Sequence, residues 1–284
     1  MATLETGVKK ESISTVYVKP KEKKKTRSPF LILNFYRILI ILAIVGLWEL
    51  AVRFQFVNAF LMGSPQGIWS EAIRLIQSGQ LFTDTIATLY GTITGFIIGS
   101  LLGSGVGLLL WYSERAAKVI DPFVVALNGL PKIALAPMII IWFGSGIFSK
   151  MALATIATFI VALLSAYQGT HQIDSSLIHL MKSLGATKGQ IFRKVVIPST
   201  LPWIISAFRL NIGFALISVI GGEFISSDKG LGRMIFVAGN LFNLNVVWVG
   251  VLTLMLVAIL LYAIVTKLQS KLLPWEQAEL EKTK

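Results

Sequence analysis

The sequence contains no cysteine, only two histidines, and 14 acidic against 26 basic residues in a chain of 284. The first absence excludes disulfides and thiolate metal sites, and His171 and His179 alone make a poor metal centre. No Gly-Lys-Ser/Thr phosphate-binding loop occurs, so the chain has no evident means of hydrolysing a nucleotide. The hydrophobic segments hold no paired carboxylates, metal-spaced histidines or Ser/His constellation, which argues against bond chemistry by this chain and for no catalytic, cofactor or metal site of its own. The net charge of +12 does not come with aromatics interleaved along a soluble basic face, so nucleic acid is not the expected partner.

What is abundant is apolar. Hydrophobic residues make up 55% of the chain and charged ones 14%, with a mean hydropathy of +0.74, well above a soluble domain. Six apolar segments stand out, at 35–50, 83–111, 119–143, 151–167, 203–222 and 246–267. Each approaches the roughly 20 residues a helix needs to cross the hydrocarbon core. They lack the strict alternation of a barrel, and open strands cannot satisfy their backbone in lipid, so the expected fold class is an all-α membrane protein with about six transmembrane helices. Between the first two, residues 66–78 read as a short amphipathic helix begun by Ser64-Pro65 and closed by Gly79. Residues 1–28, with eight Lys and Arg and few apolar residues, read as a disordered basic tail, 29–273 as the membrane domain and 274–284 as a C-terminal tail. The long polar lead and the lack of a small-residue cleavage pattern predict that the first span stays attached.

Lys and Arg flanks are retained in the cytoplasm. With the N-terminus inside, nineteen of the 26 fall on the cytoplasmic side and five (Arg53, Arg74, Lys150, Lys229, Arg233) outside, leaving Lys132 and Arg209 within hydrophobic segments. Both termini are therefore expected in the cytoplasm, with membrane lipid as the chain's main surroundings.

The cytoplasmic stretch 168–201, between spans four and five, is too long for a simple connection. It reads as two short helices. Asp174 can cap the first, Gly185 can end it in a left-handed conformation, and Thr187 to Gln190 has the spacing of a capping box for the second, which is predicted to stop before Pro198. Ile191, Phe192, Val195 and Val196 share one face of that second helix, away from Lys188, Arg193 and Lys194.

Leu184-Gly185-Ala186 and Val195-Val196-Ile197-Pro198, with nine residues between Gly185 and Val195, resemble the "EAA" loop of ABC importer permeases, with His179-Leu180-Met181 in the place of Glu-Ala-Ala. Pro131 to Pro137 running into Trp142-Phe143-Gly144, Leu201-Pro202-Trp203 before Phe208-Arg209-Leu210, and Gly222-Glu223-Phe224 before Gly230-Leu231-Gly232 narrow the resemblance to the nitrate/sulfonate/taurine/bicarbonate group. It covers roughly residues 40 to 270. The resemblance implies the type I ABC importer permease fold in a bacterial cytoplasmic (inner) membrane. It implies two ABC ATPase subunits that carry the ATP and Mg, a second copy of the chain, and a periplasmic or lipid-anchored solute-binding protein. It assigns the coupling of the ATPase to Lys182, Leu184, Gly185, Ala186, Thr187, Gln190, Phe192 and Pro198.

Within the membrane, Gly91, Gly95, Gly99, Gly103 and Gly107 recur every fourth residue and line one helix face, where another backbone can come close within the subunit or at a dimer seam. Lys132 is a charge inside a span, flanked by Pro131 and Pro137, which predict a kink or break. It either lies beside a pathway for an anion or is neutralised by a carboxylate or by helix C-terminal carbonyls. Glu223 is the carboxylate to pair with Lys132 or Arg233 as a gate, or else a plain boundary charge. Arg209 is expected to snorkel to the inner boundary or to bond the coupling segment's carbonyls. Residues 222–246 read as an external or re-entrant loop. An ion-coupled transporter or channel is the alternative class, though no chain of central carboxylates supports it. Within the family, a heterocyclic vitamin precursor is the alternative cargo.

Overall fold

The computed structural model describes residues 29–273; the expected tails at 1–28 and 274–284 lie outside the described residues. The chain divides at Leu47/Trp48 into two units. The described part of the first is the opening of helix α1 (Pro29–Arg53), where Leu39, Ile40, Ile41 and Leu42 are all exposed.

The second unit continues with α2 (Ala59–Met62), α3 (Pro65–Gln77), α4 (Gln80–Leu109), α5 (Glu114–Gly129), α6 (Ala136–Phe143), α7 (Ile147–His171), α8 (Ser175–Ser183), α9 (Lys188–Ile191), α10 (Ile197–Ile225), α11 (Leu231–Asn240) and α12 (Leu244–Leu272). Ser64 caps α3 by accepting from Gly67 N–H, as the Ser-Pro start predicts. Among the described residues, five helices are long and apolar enough to cross a membrane. A sixth span is bent: α5 and the stretch Lys132–Phe143 meet at 91°. The break lies where Pro131 has no N–H to donate; Leu130 and Pro131 are extended, and a 3-10 turn, Lys132–Leu135, leads into α6.

Burial is inverted relative to a soluble protein. The buried residues of α4 are Asp84, Thr88, Gly91, Thr92, Gly95, Gly99, Ser100, Gly103, Ser104 and Gly107, all small or polar, while its large residues Ile86, Leu101 and Leu102 point outward. Lipid is as apolar as leucine, so helices gain little by hiding leucine and much by close backbone approach. The five glycines face α7: a Cβ at Gly103 would strike the Phe159 carbonyl and Ala162, and one at Gly107 the Leu163 carbonyl. Asn211 of α10, wholly buried, ties the pair to a third helix by donating to Ser100 Oγ at 3.0 Å and to the Thr158 carbonyl at 3.2 Å.

Two expectations are corrected. The second coupling helix does not stop before Pro198. Ile197 N–H reaches back five residues to the Phe192 carbonyl, forming a π turn over Phe192–Val196 that runs directly into α10. Pro198 thus lies inside a continuous helical run, and its missing N–H falls just after the π turn, where the regular ladder is already displaced. The stretch between Gly222 and Val246 is mainly helix, not loop, because Leu231, Met234 and Ala238 share a buried face of α11 that packs with Leu75, Val246 and Val249.

Candidate functional site

Three places hold the polar chemistry of the second unit. The first is the coupling segment. Asp174 accepts from Ser176 N–H at 2.8 Å and caps α8; hydrogen bonding from the Ser176 side chain, and then from its N–H, holds the carboxyl below the usual carboxylate range. The helix ends after Lys182 and Ser183 in a Schellman motif: Gly185 N–H donates to the Lys182 carbonyl at 2.9 Å, Ala186 N–H to the Met181 carbonyl at 3.0 Å, and Gly185 has φ +76°. Thr187 and Gln190 then close a reciprocal capping box, with Thr187 N–H on Gln190 Oε1 at 2.7 Å and Gln190 N–H on Thr187 Oγ1 at 3.3 Å. Leu177, Leu180 and Leu184 are exposed, Leu184 by 74%. Ile191 and Val196 are buried, Phe192 half-buried, and Lys182, Lys188, Arg193 and Pro198 exposed. The structure thus brings the residues expected to couple to an ATPase into one helix–glycine–helix element running into α10.

The second place is the bend. Lys132 Nζ donates to the Asn128 carbonyl at the C-terminal end of α5 at 3.1 Å and lies 5.9 Å from the centre of the Phe214 ring of α10. No carboxylate pairs with it among the described residues. Ile133 fills the space that a side chain at Gly221 would need, so the bend rests on α10. Pro137 begins α6, where its fixed φ suits a first turn.

The third place is a buried ionic cluster at the far end of α10. Glu223 is 1% and Lys150 3% exposed, and they pair at 3.4 Å. Thr88 Oγ1 donates to the Glu223 carboxylate (2.9 and 3.1 Å), and Gly232 N–H donates to Oε2 at 2.8 Å. Leu231 N–H donates to Thr88 Oγ1 at 2.9 Å and Gly230 N–H to Asp84 Oδ1 at 2.8 Å. Lys150 Nζ also donates to the Lys229 carbonyl. Two carboxylates and the Thr88 hydroxyl therefore meet the three N–H groups that open α11, where the helix dipole favours negative charge. The cluster joins α4, α7, α10 and α11.

This arrangement corrects the expected partner of Glu223, which is Lys150 and not Lys132 or Arg233, and Glu223 is buried rather than a boundary charge. Lys150, counted as an external flank, is the residue that sequence reasoning missed. A usable signal was present: Asp84 and Thr88 continue the stripe of Gly91 and Gly95 on one face of α4. For Arg209, one of the two expectations, a bond to the coupling segment's carbonyls, is corrected. Arg209 donates to Gln269 Oε1 from Nε at 3.1 Å and from Nη2 at 2.6 Å and lies 5.9 Å from the Tyr262 ring, so it joins α10 to α12 rather than to the coupling segment.

Among the described residues, an all-helical architecture with five unbroken candidate spans, a bent sixth and a helix–glycine–helix element feeding directly into a span is that of the type I ABC importer permease fold. A chain of the MetNI methionine ABC transporter in an inward-facing conformation matches it with a TM-score of 0.61 at 20% identity, over 69% of this chain and 97% of that one. The chain belongs to the family of binding-protein-dependent transport system inner membrane components, which it matches over residues 95–274. It is 32% identical to the formylaminopyrimidine transport permease protein ThiX of Halalkalibacterium halodurans over 85% of this chain and 96% of that one. It is 29% identical to the putative aliphatic sulfonates transport permease protein SsuC of Bacillus subtilis over 83% and 85%. The family is that of a multi-pass membrane permease component.

Proposed function

We propose that this chain is the membrane-spanning subunit of an ATP-driven importer and that two copies of it line the pathway of a small anionic nutrient of the nitrate, sulfonate, taurine or bicarbonate class. The observation that carries this reading is the element Asp174–Val196. Its backbone is fully capped from within, yet Leu177, Leu180 and Leu184 stay exposed on a segment outside the spans. Exposed leucines on an otherwise polar element fit a protein partner. That partner is an ATPase subunit, which supplies the ATP and Mg chemistry this sequence lacks. The distribution of Lys and Arg favours a cytoplasmic location for this element and for both termini.

The ATPase pair draws the coupling elements together, and the spans follow as rigid bodies. At the opposite end a solute-binding protein, periplasmic or lipid-anchored, delivers the substrate near α11. Lys132 supports an anion: one of its three N–H groups is held by the Asn128 carbonyl, and no carboxylate neutralises it among the described residues. A heterocyclic cargo is the second reading, favoured by the relation to the formylaminopyrimidine permease.

The test is to purify the chain in mild detergent and assay the preparation for a stoichiometric ATPase. Gly185→Arg forces a side chain into the left-handed conformation and places charge on the docking surface, so it is expected to abolish transport-coupled ATP hydrolysis while the spans stay folded. Wild-type coupling in that variant would refute the assignment. The ligand of the co-purifying binding protein, an oxyanion or a pyrimidine, decides between the two cargoes.

A further inference from the structure

Lys188 occupies the first position of α9, where the positive end of the helix dipole disfavours a cation. The structure supplies the compensation. Its Nζ donates at 2.6 Å to the carbonyl of Tyr112, the last residue of the 3-10 turn Leu110–Tyr112 that closes α4. The ammonium also lies 5.7 Å from the centre of the Trp111 ring and 5.6 Å from that of Tyr112, within the range of cation–π attraction. One helical turn further on, Phe192 packs on the same two rings, at 4.7 Å from Tyr112 and 5.8 Å from Trp111, so Lys188 shares the Phe192 face and does not lie away from it as expected from the sequence. A cation and an aromatic ring of the coupling segment thus grip one turn of a distant helix.

The residue after that turn, Ser113, caps α5 by accepting from Ala116 N–H at 3.2 Å. At its other end α5 holds Lys132 through the Asn128 carbonyl. The coupling segment is also continuous with α10 through the π turn, as one helical run Lys188–Ile225. Two connections therefore leave it: a helical rod into α10, and a polar and aromatic contact onto the start of the bent pair.

We infer that Lys188 is a positioning residue that latches the coupling segment to the α4–α5 turn, so that one displacement of the segment moves both α10 and the bent pair carrying Lys132. This rests on the coupling reading above. Without the latch, the rod still moves α10, and the bent pair loses its drive.

The chain's lack of cysteine allows single reporters without background labelling. Ile141→Cys on α6 and Ile217→Cys on α10 sit at positions 81% and 62% exposed. In the full complex with its co-purifying ATPase, the rate of maleimide labelling is compared with and without ATP and vanadate. Trapping is expected to change both rates in the otherwise unmutated chain. With Lys188→Ala the response at position 141 is expected to fall by between about twofold and thirtyfold, the range seen when one link of a coupling network is removed, while the response at 217 persists. Lys188→Arg, which keeps the donor and the cation over the rings, is expected to restore it, and Trp111→Leu to repeat the loss from the other side of the contact. Both responses surviving Lys188→Ala would overturn the latch. Both vanishing would make the lysine a general support of the segment and overturn it as well. If no ATPase accompanies the unmutated chain, or trapping moves neither reporter, the coupling reading itself falls and the latch with it.

Discussion

The two ends of α10, separated by a helical run of about 40 Å, are built on opposite principles. At its start, the coupling segment is shaped by neighbours in sequence: Asp174 caps Ser176, Gly185 and Ala186 close back on Lys182 and Met181, and Thr187 and Gln190 cap each other. At its end, Glu223 meets Thr88, Lys150 and Gly232, and Asp84 meets Gly230. Those bonds tie three spans and α11 together. On an exposed segment local caps are sufficient, and Leu177, Leu180 and Leu184 stay uncovered. Surrounded by apolar helices, a charge has no solvent to turn to, so several helices must converge on it.

Glu223→Ala tests the contrast most severely. It leaves Lys150 buried without its counterion, and removal of one partner of a buried pair costs about 3–5 kcal/mol, seen as a lower Tm in detergent. Combining Lys150→Met with Glu223→Gln is expected to destabilise less than the sum of the two single changes; simple additivity would mean the two groups do not act as a pair.

Gly103→Leu probes the stretch between the two ends. Its side chain would enter the Phe159 backbone of α7, and overpacking of this kind costs about 1–3 kcal/mol. Gly105→Leu, which points into open space on the same helix, is the control and should leave Tm close to wild type.

Thr187→Ala removes one half of the capping box, worth about 1 kcal/mol. Faster amide exchange confined to α9, with the global Tm retained, is the outcome that fits a locally built element. A global loss of stability would show that this end is as interlocked as the other.

The smallest effect is a pH dependence of α8. Hydrogen bonding lowers the Asp174 carboxyl below its unfolded value, so the cap's contribution is present above about pH 4 and is lost as pH falls through the folded pKa. Amide exchange at Ser176 should quicken there relative to its intrinsic rate, and Asp174→Ala should remove that dependence.

Features that depend on spacing along one helix were legible before any coordinates. The glycine face of α4, the Schellman turn at Gly185, the Thr187 capping box and the proline break beside Lys132 all arise from residues within a few positions of one another. The partner of Glu223 was not legible, because Lys150 stands at the start of α7, where a hydropathy pattern treats it as a flank, and only the packing of α7 on α10 turns it inward. Arg209 is similar: nothing near it in the chain points to Gln269, sixty residues away. The π turn escaped because a proline marks a helix end by default, and the extra residue that absorbs it leaves no compositional trace.

By itself, the sequence determined the helical class, the apolar segments and the local caps between Asp174 and Gln190, since each follows from the chain's own hydrogen-bonding needs and from periodicity in lipid. Only the tertiary structure decided which charges lie buried together, how the coupling segment reaches both α10 and the α4–α5 turn, and which helices share the glycine face. Those depend on close approach between segments far apart in the chain, and local composition does not encode it.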